Sequence, residues 1–182
     1  MTSSTKAKAK TLAVIAPVVF LLDQATKWVI QQNLAIGDVH HVVPGLFDIV
    51  HVRNRGAAFG FMANLPESIR LPFFFVVSFL ALGLITTYFF RMKDDRRSFT
   101  VCLALILGGA LGNIWDRITL GEVVDFLSFH WYDRIANWRV AGWVLRFRLE
   151  WPAFNVADMA ISIAVAWLMI LMLKTPKEGG LR

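Results

Sequence analysis

Ionisable side chains inside apolar sequence call for explanation first, because each costs at least ~2.5 kcal/mol in hydrocarbon unless it has a partner or a task. Asp23 and Lys27 stand four residues apart within an apolar run, in the order that favours an ion pair on one helix face. Asn113, Asp116 and Arg117 close the run GGALGNIWDR, Asn155 and Asp158 open FNVADMAI, and Asp125 lies in VVDF. Two neighbouring carboxylates cannot both ionise cheaply, so one keeps a proton while the other is charged, a pairing suited to activating water. Other chemistries fit less well. His40 and His41 are adjacent, His51 and His130 stand alone, and there is no H-E-x-x-H, so no metal is expected. Cys102 has no histidine near it and reads as a small core residue. Gly108, Gly109 and Gly112 precede no Walker lysine, and their spacing points to close helix packing.

The elements that must carry these groups follow from composition. Of 182 residues 57% are hydrophobic and only 18% charged, against about 45 to 50% and about 25% in soluble domains. A mean hydropathy of +0.56 points to the bilayer and away from nucleic acid, disorder or a disulfide scaffold. Segments 11–30, 71–90, 99–115 and 154–173 approach the roughly 20 apolar residues of a spanning helix. The expected fold is therefore an all-α membrane protein, one domain over residues 1–182, with four transmembrane helices and a small β-sheet and loop region at the outer interface. Alternation in LRFRLEW and in the second half of VDFLSFHW supplies the expected strands. Trp131, Trp138, Trp143 and Trp151 suit headgroup depth. The whole stretch 132–150 reads as an interfacial flap, with Arg139, Arg146 and Arg148 within reach of lipid phosphates.

Ten of the nineteen Lys and Arg lie in the two tails and the short RMKDDRR connection, against eight in the long connections 31–70 and 116–153. By the positive-inside rule the termini are cytoplasmic and the long connections external. At ~1.5 Å per residue, Asp23 is then about 18 Å along its span, and Asp158 about 6 Å below the start of the fourth. Four separate stretches bring polar groups to the outer half. Plainer readings stand beside this: a self-neutralising Asp23–Lys27 pair, and an Asp158 favoured by the helix macrodipole. Asp116 is expected to be solvated or paired with Arg117 and to be dispensable. NRGAAFG, at 54–60, reads as a tight turn with backbone close to a bound peptide.

Taken in order, DQATK at 23–27, NRGAAFG at 54–60, GGALGNIWDR at 108–117, VVDF at 123–126 and FNVADMAI at 154–161 resemble the bacterial lipoprotein signal peptidases, the signal peptidase II family. The resemblance implies an intramembrane aspartic endopeptidase of the bacterial inner membrane with Asp125 and Asp158 as its catalytic pair. It implies that Asp23, Lys27, Asn54, Gly56, Asn113, Arg117 and Asn155 line or brace the site. It further implies a diacylglyceryl-modified prolipoprotein substrate cut before its lipid-bearing cysteine, membrane phospholipid around it, inhibition by globomycin, and no cofactor or nucleic acid. The stretch 132–150 is longer than this family leads one to expect. A small proton-coupled carrier and a non-catalytic assembly factor are the alternatives, and acids confined to the outer half count against the carrier.

The topology is open to labelling. In a Cys102→Ala background, an impermeant thiol reagent on intact cells should modify a cysteine at position 137 and spare one at position 3; the reverse pattern would invert the orientation.

Overall fold

The computed structural model describes residues 3–56, 62, 64–91, 97–140 and 143–174. Positions 57–60 of the expected NRGAAFG turn, most of the RMKDDRR connection and the tail beyond 174 lie outside them, as do the side chains of Arg139, Arg146 and Arg148.

Among the described residues four helices are long and apolar enough to cross a bilayer: α1 (Ser3–Asn33), α2 (Glu67–Arg91), α3 (Arg97–Leu120) and α4 (Val156–Lys174). They match the four expected spans but differ at their ends. Helix α1 starts well before residue 11, because the Lys and Ala of its first turns are good helix formers even where they are too polar for lipid. Helix α3 runs past residue 115, so Asn113 and Asp116 are interior helical positions. Asn155 precedes α4, so although it stands three positions before Asp158 it does not share a helix face with it. Hydropathy marks where lipid ends, whereas the backbone hydrogen-bond ladder continues until its donors find other acceptors.

The chain divides into two compact units. The first comprises Met1–Gln24, Leu71–Trp115 and Val156–Arg182 and is purely helical where described. Its close packing depends on glycines of α3. A Cβ on Gly108 would lie 2.6 Å from the Ala16 carbonyl oxygen and 2.7 Å from Val19 Cβ, and one on Gly112 would strike the Asp23 carboxylate. Ala16, Val19 and Asp23, spaced three and four apart on α1, thus face a Gly-x-x-x-Gly edge, the small-residue contact of membrane helices. Gly109 lies against α4, where a Cβ would come within 2.6 Å of the Ala157 carbonyl oxygen. Phe20 and Trp115 meet edge to face at 6.3 Å. Leu21, Leu80, Leu84 and Leu173 remain exposed, as lipid-facing positions must in the absence of water.

The second unit, Ala25–Arg70 and Asp116–Asn155, carries an antiparallel four-stranded sheet in the order β1 (Val39–Val43), β2 (Phe47–Asn54), β3 (Val123–Val140), β4 (Trp143–Glu150). Strands β3 and β4 cover the two alternating stretches seen in the sequence. Strands β1 and β2 were not foreseen, although the Pro44-Gly45 turn between two valine-rich runs is a hairpin signal. Gly45 has a φ of 75°, a left-handed value that costs glycine little. The β3–β4 ladder sets Ala136 opposite Phe147, Trp138 opposite Leu145 and Val140 opposite Trp143, with Asn137 opposite Arg146 and Ile135 opposite Arg148. Apolar and arginine-bearing pairs therefore alternate along the hairpin, and alternate pairs of a ladder belong to opposite faces.

Valine at position 109 should collide with the Ala157 carbonyl and with Ile161, at a cost of roughly 1 to 3 kcal/mol. Thermal unfolding in detergent should show a clear fall in Tm for Gly109→Val and none for Gly83→Ala, whose added Cβ meets nothing within 4 Å.

Candidate active site

Asp125 sits near the start of β3, opposite Val52 of β2, after a register shift between Ile49 and Val52. Asn54, two residues beyond Val52, therefore belongs to the same face of the ladder and is Asp125's diagonal neighbour, within side-chain reach. Its Nδ2 donates to Asp125 Oδ2 at 2.9 Å. Asn54 is held in turn by the Gly56 N–H, which donates to its Oδ1 at 2.9 Å. The other oxygen is served by a segment that returns to the sheet: Phe154 bridges Leu127, with its carbonyl accepting the N–H groups of Phe126 and Leu127. That pairing brings Asn155 alongside, and its Nδ2 donates to Asp125 Oδ1 at 2.7 Å and to the Val124 carbonyl at 3.2 Å. Asp125 and Asn155 are buried, and each carboxylate oxygen of Asp125 has an amide donor.

One position away, a buried ion pair holds the backbone. Lys27 Nζ lies 2.8 Å from Asp116 Oδ2, both side chains almost fully enclosed. The same oxygen accepts the Val124 N–H at 3.1 Å. This corrects the expectation that Asp116 is solvated: it is 2% exposed and anchors the residue before Asp125. Sequence spacing could not find it, since Lys27 and Asp116 are 89 positions apart. Arg117, half-buried in the last turn of α3, offers its carbonyl to the Gly121 N–H at 3.2 Å.

In the helical unit, Asn113 Nδ2 donates to Asp158 Oδ1 at 2.8 Å, and Asp158 is half-buried in the first turn of α4. Asp23 is wholly buried and its Oδ1 accepts the Ala157 N–H at 2.9 Å. That N–H is one of the orphan donors of the helix start, so α1 caps α4 through a carboxylate that also complements its dipole. Gln24 was not singled out from sequence, yet its Nε2 donates to Asp23 Oδ2 at 3.1 Å and to the Gly112 carbonyl at 3.2 Å. Its place inside DQATK was the available signal. Beside β2, Arg70 donates to the Arg55 carbonyl and Arg55 pairs with Glu122 at 2.7 Å, tying down the chain after Asn54. The histidines serve the sheet: His41 and His130 flank Asp48 at 2.8 and 2.9 Å, and His51 Nδ1 meets the Leu34 carbonyl at 2.8 Å.

Four helices long and apolar enough to cross a membrane, a small sheet, and two carboxylates held by asparagine amides, Asp125 buried and Asp158 half-buried, are features that an enzyme of the bilayer working through carboxyl groups would carry. The family described as signal peptidase (SPase) II matches residues 15–174. A lipoprotein signal peptidase of Geobacter sulfurreducens is 45% identical over 158 residues, 87% of this chain and 88% of that protein. Its counterpart in Geobacter metallireducens is 39% identical over 166 residues, 91% and 92% of the two chains. A solved bacterial membrane enzyme superposes with a TM-score of 0.72 at 31% identity, covering 95% of each chain. The chain belongs to the signal peptidase II family, and is an aspartic peptidase of the bacterial inner membrane.

Lys27→Met strands a buried carboxylate, a loss of about 3 to 5 kcal/mol. Its Tm in detergent should drop sharply, and Asp116→Asn, which keeps an acceptor for the Val124 N–H, should restore part of that drop when added to Lys27→Met. A Lys27→Met protein as stable as the parent would refute the structural role of the pair.

Proposed function

We propose that the chain removes the signal peptide from diacylglyceryl-modified prolipoproteins, cutting just before the lipid-bearing cysteine, with Asp125 and Asp158 as the two reacting carboxylates. The family supplies the reaction class, and the relatives called lipoprotein signal peptidases supply the substrate class. The observation that carries the assignment is the amide clamp: Asn54 and Asn155 on Asp125, and Asn113 on Asp158. A general acid or base must be held within hydrogen-bond reach of the proton it moves, and amide donors fix the carboxyl rotamer while leaving lone pairs free. Chain length adds support. Asn155 precedes Asp158 by three residues, so their Cα atoms stand within roughly 11 Å of each other whatever the fold.

In this reading the pair shares one proton. The charged member takes a proton from water as the oxygen attacks the scissile carbonyl, and the protonated member donates to the carbonyl oxygen. Collapse of the tetrahedral intermediate breaks the C–N bond: the hydroxyl proton returns to the carboxylate that gave it, and the proton taken from water passes to the leaving amine of the cysteine. Two products result, a signal peptide with a new carboxylate and a lipidated protein with a free amino terminus. The pair titrates as a unit, so activity should depend on pH through two ionisations. Asp23, Lys27, Gly56 and Arg117 complete the bracing set through the contacts they make. Termini in the cytoplasm and a site near the outer face accord with the charge distribution. The acyl chains then stay in the surrounding phospholipid while the scissile bond reaches water, and a globomycin-type inhibitor competes there. The carrier and assembly-factor readings are not favoured by family membership.

Purified protein in detergent, given a diacylglyceryl prolipoprotein, should produce a mobility shift that survives a metal chelator. Asp125→Asn and Asp158→Asn should each slow cleavage by at least ~10² to 10⁴-fold. The double variant should be scarcely worse than either alone, because groups acting as a unit are non-additive. Folded Asp158→Asn protein cleaving near the parent rate would end the aspartic assignment.

A further inference from the structure

A second site lies in the helical unit, between the first turns of α1 and the start of α3. A cavity of about 590 Å³ is lined by Lys8 and Lys10 of α1 and by Arg97 and Thr100 of α3, with Val14 and Ile15 further along α1. That volume is in the range of small-molecule sites. The α1 residues recur at helical spacing and so form one stripe, cationic at the amino-terminal end and apolar two turns on.

Thr100 is the observation that turns a basic groove into a site. Its side chain is 1% exposed, and its hydroxyl has no hydrogen-bond partner among the described residues. A buried hydroxyl without a partner is unfavourable, and a polar ligand atom in the cavity would relieve it. Lys10, Arg97 and the Thr100 hydroxyl select an anion with several acceptor oxygens. The apolar continuation past Lys10 selects one that carries a hydrocarbon chain.

We propose that this groove binds one anionic phospholipid from the leaflet at the amino-terminal end of the helices. Lys8, Lys10 and Arg97 hold its phosphate, the Thr100 hydroxyl donates to a phosphate or ester oxygen, and an acyl chain runs over Val14 and Ile15. Zwitterionic lipids satisfy the same phosphate contacts but bring their own cation into a basic groove, so they bind more weakly. The site is independent of the proposed proteolysis, and its ligand is neither substrate nor product.

Full-length protein in neutral detergent, titrated with phosphatidylglycerol or phosphatidylcholine in mixed micelles, allows native mass spectrometry to count retained lipid. Phosphatidylglycerol should be retained more tightly. Lys10→Gln and Arg97→Gln should each weaken retention about 5-fold, and Thr100→Val about 3-fold, while Thr100→Ser should match the parent. Lys6→Gln, which removes a charge outside the lining, should also match it. Equal retention of the two lipids, or Thr100→Val binding as the parent does, would overturn the proposal. So would displacement of the lipid by water-soluble glycerol phosphate at similar concentration, which would mark a free-anion site. Cleavage of prolipoprotein is read separately, so loss of lipid selectivity and loss of the peptidase reading are distinct outcomes.

Discussion

Lys27 and Asp116 are enclosed together, and their ion pair constrains everything built around it. Taking two charges out of water costs several kcal/mol each, and attraction offsets this only when the geometry is close and the remaining donors and acceptors are used. Here the separation is 2.8 Å, and Asp116 also accepts the Val124 N–H. The pair therefore places a backbone segment as well as neutralising itself. Because Val124 precedes Asp125, the position of the proposed catalytic carboxylate follows from an interaction in which Asp125 takes no part.

Asparagine recurs at the two carboxylates proposed to react. Asn54, Asn155 and Asn113 each donate an amide hydrogen to Asp125 or Asp158. A lysine or arginine in those places would bring a full charge that locks the carboxylate in its ionised form. An amide orients the carboxyl without bringing a full charge beside it, which suits the proton exchange proposed for Asp125 and Asp158. Asp23 serves another purpose: it satisfies an N–H at the start of α4.

Glycine sets the distances among the helices as asparagine sets those at the carboxylates. Gly108, Gly109 and Gly112 let α3 approach α1 and α4 until backbone oxygens and the Asp23 carboxylate fill the space a methyl group would take. In lipid, where apolar side chains gain nothing by leaving their surroundings, such close contact is the main source of helix association. Polar capping by Asp23 and small-residue packing by Gly112 thus meet at one place, and Gln24 bridges them through its bonds to both.

Hydropathy and charge distribution alone determined the four spans, because exclusion of charge from hydrocarbon acts on each segment without regard to its neighbours. The polar residues inside those spans were legible for the same reason, and strand alternation in LRFRLEW and VDFLSFHW announced β3 and β4. The motifs in their order were enough to identify the family. The β1–β2 hairpin was missed because a short valine-rich run has no helix or strand period strong enough to declare itself. Pairing across long separations was decided by tertiary structure. Asp23 and Lys27, four residues apart on one helix, read as partners of each other, and the fold gives Lys27 the carboxylate of Asp116 and Asp23 the Ala157 N–H. Asp116 read as expendable and is buried. Local spacing reports which residues share a face, but a buried charge takes the partner that the assembled fold brings nearest, and that choice is absent from any single stretch of sequence.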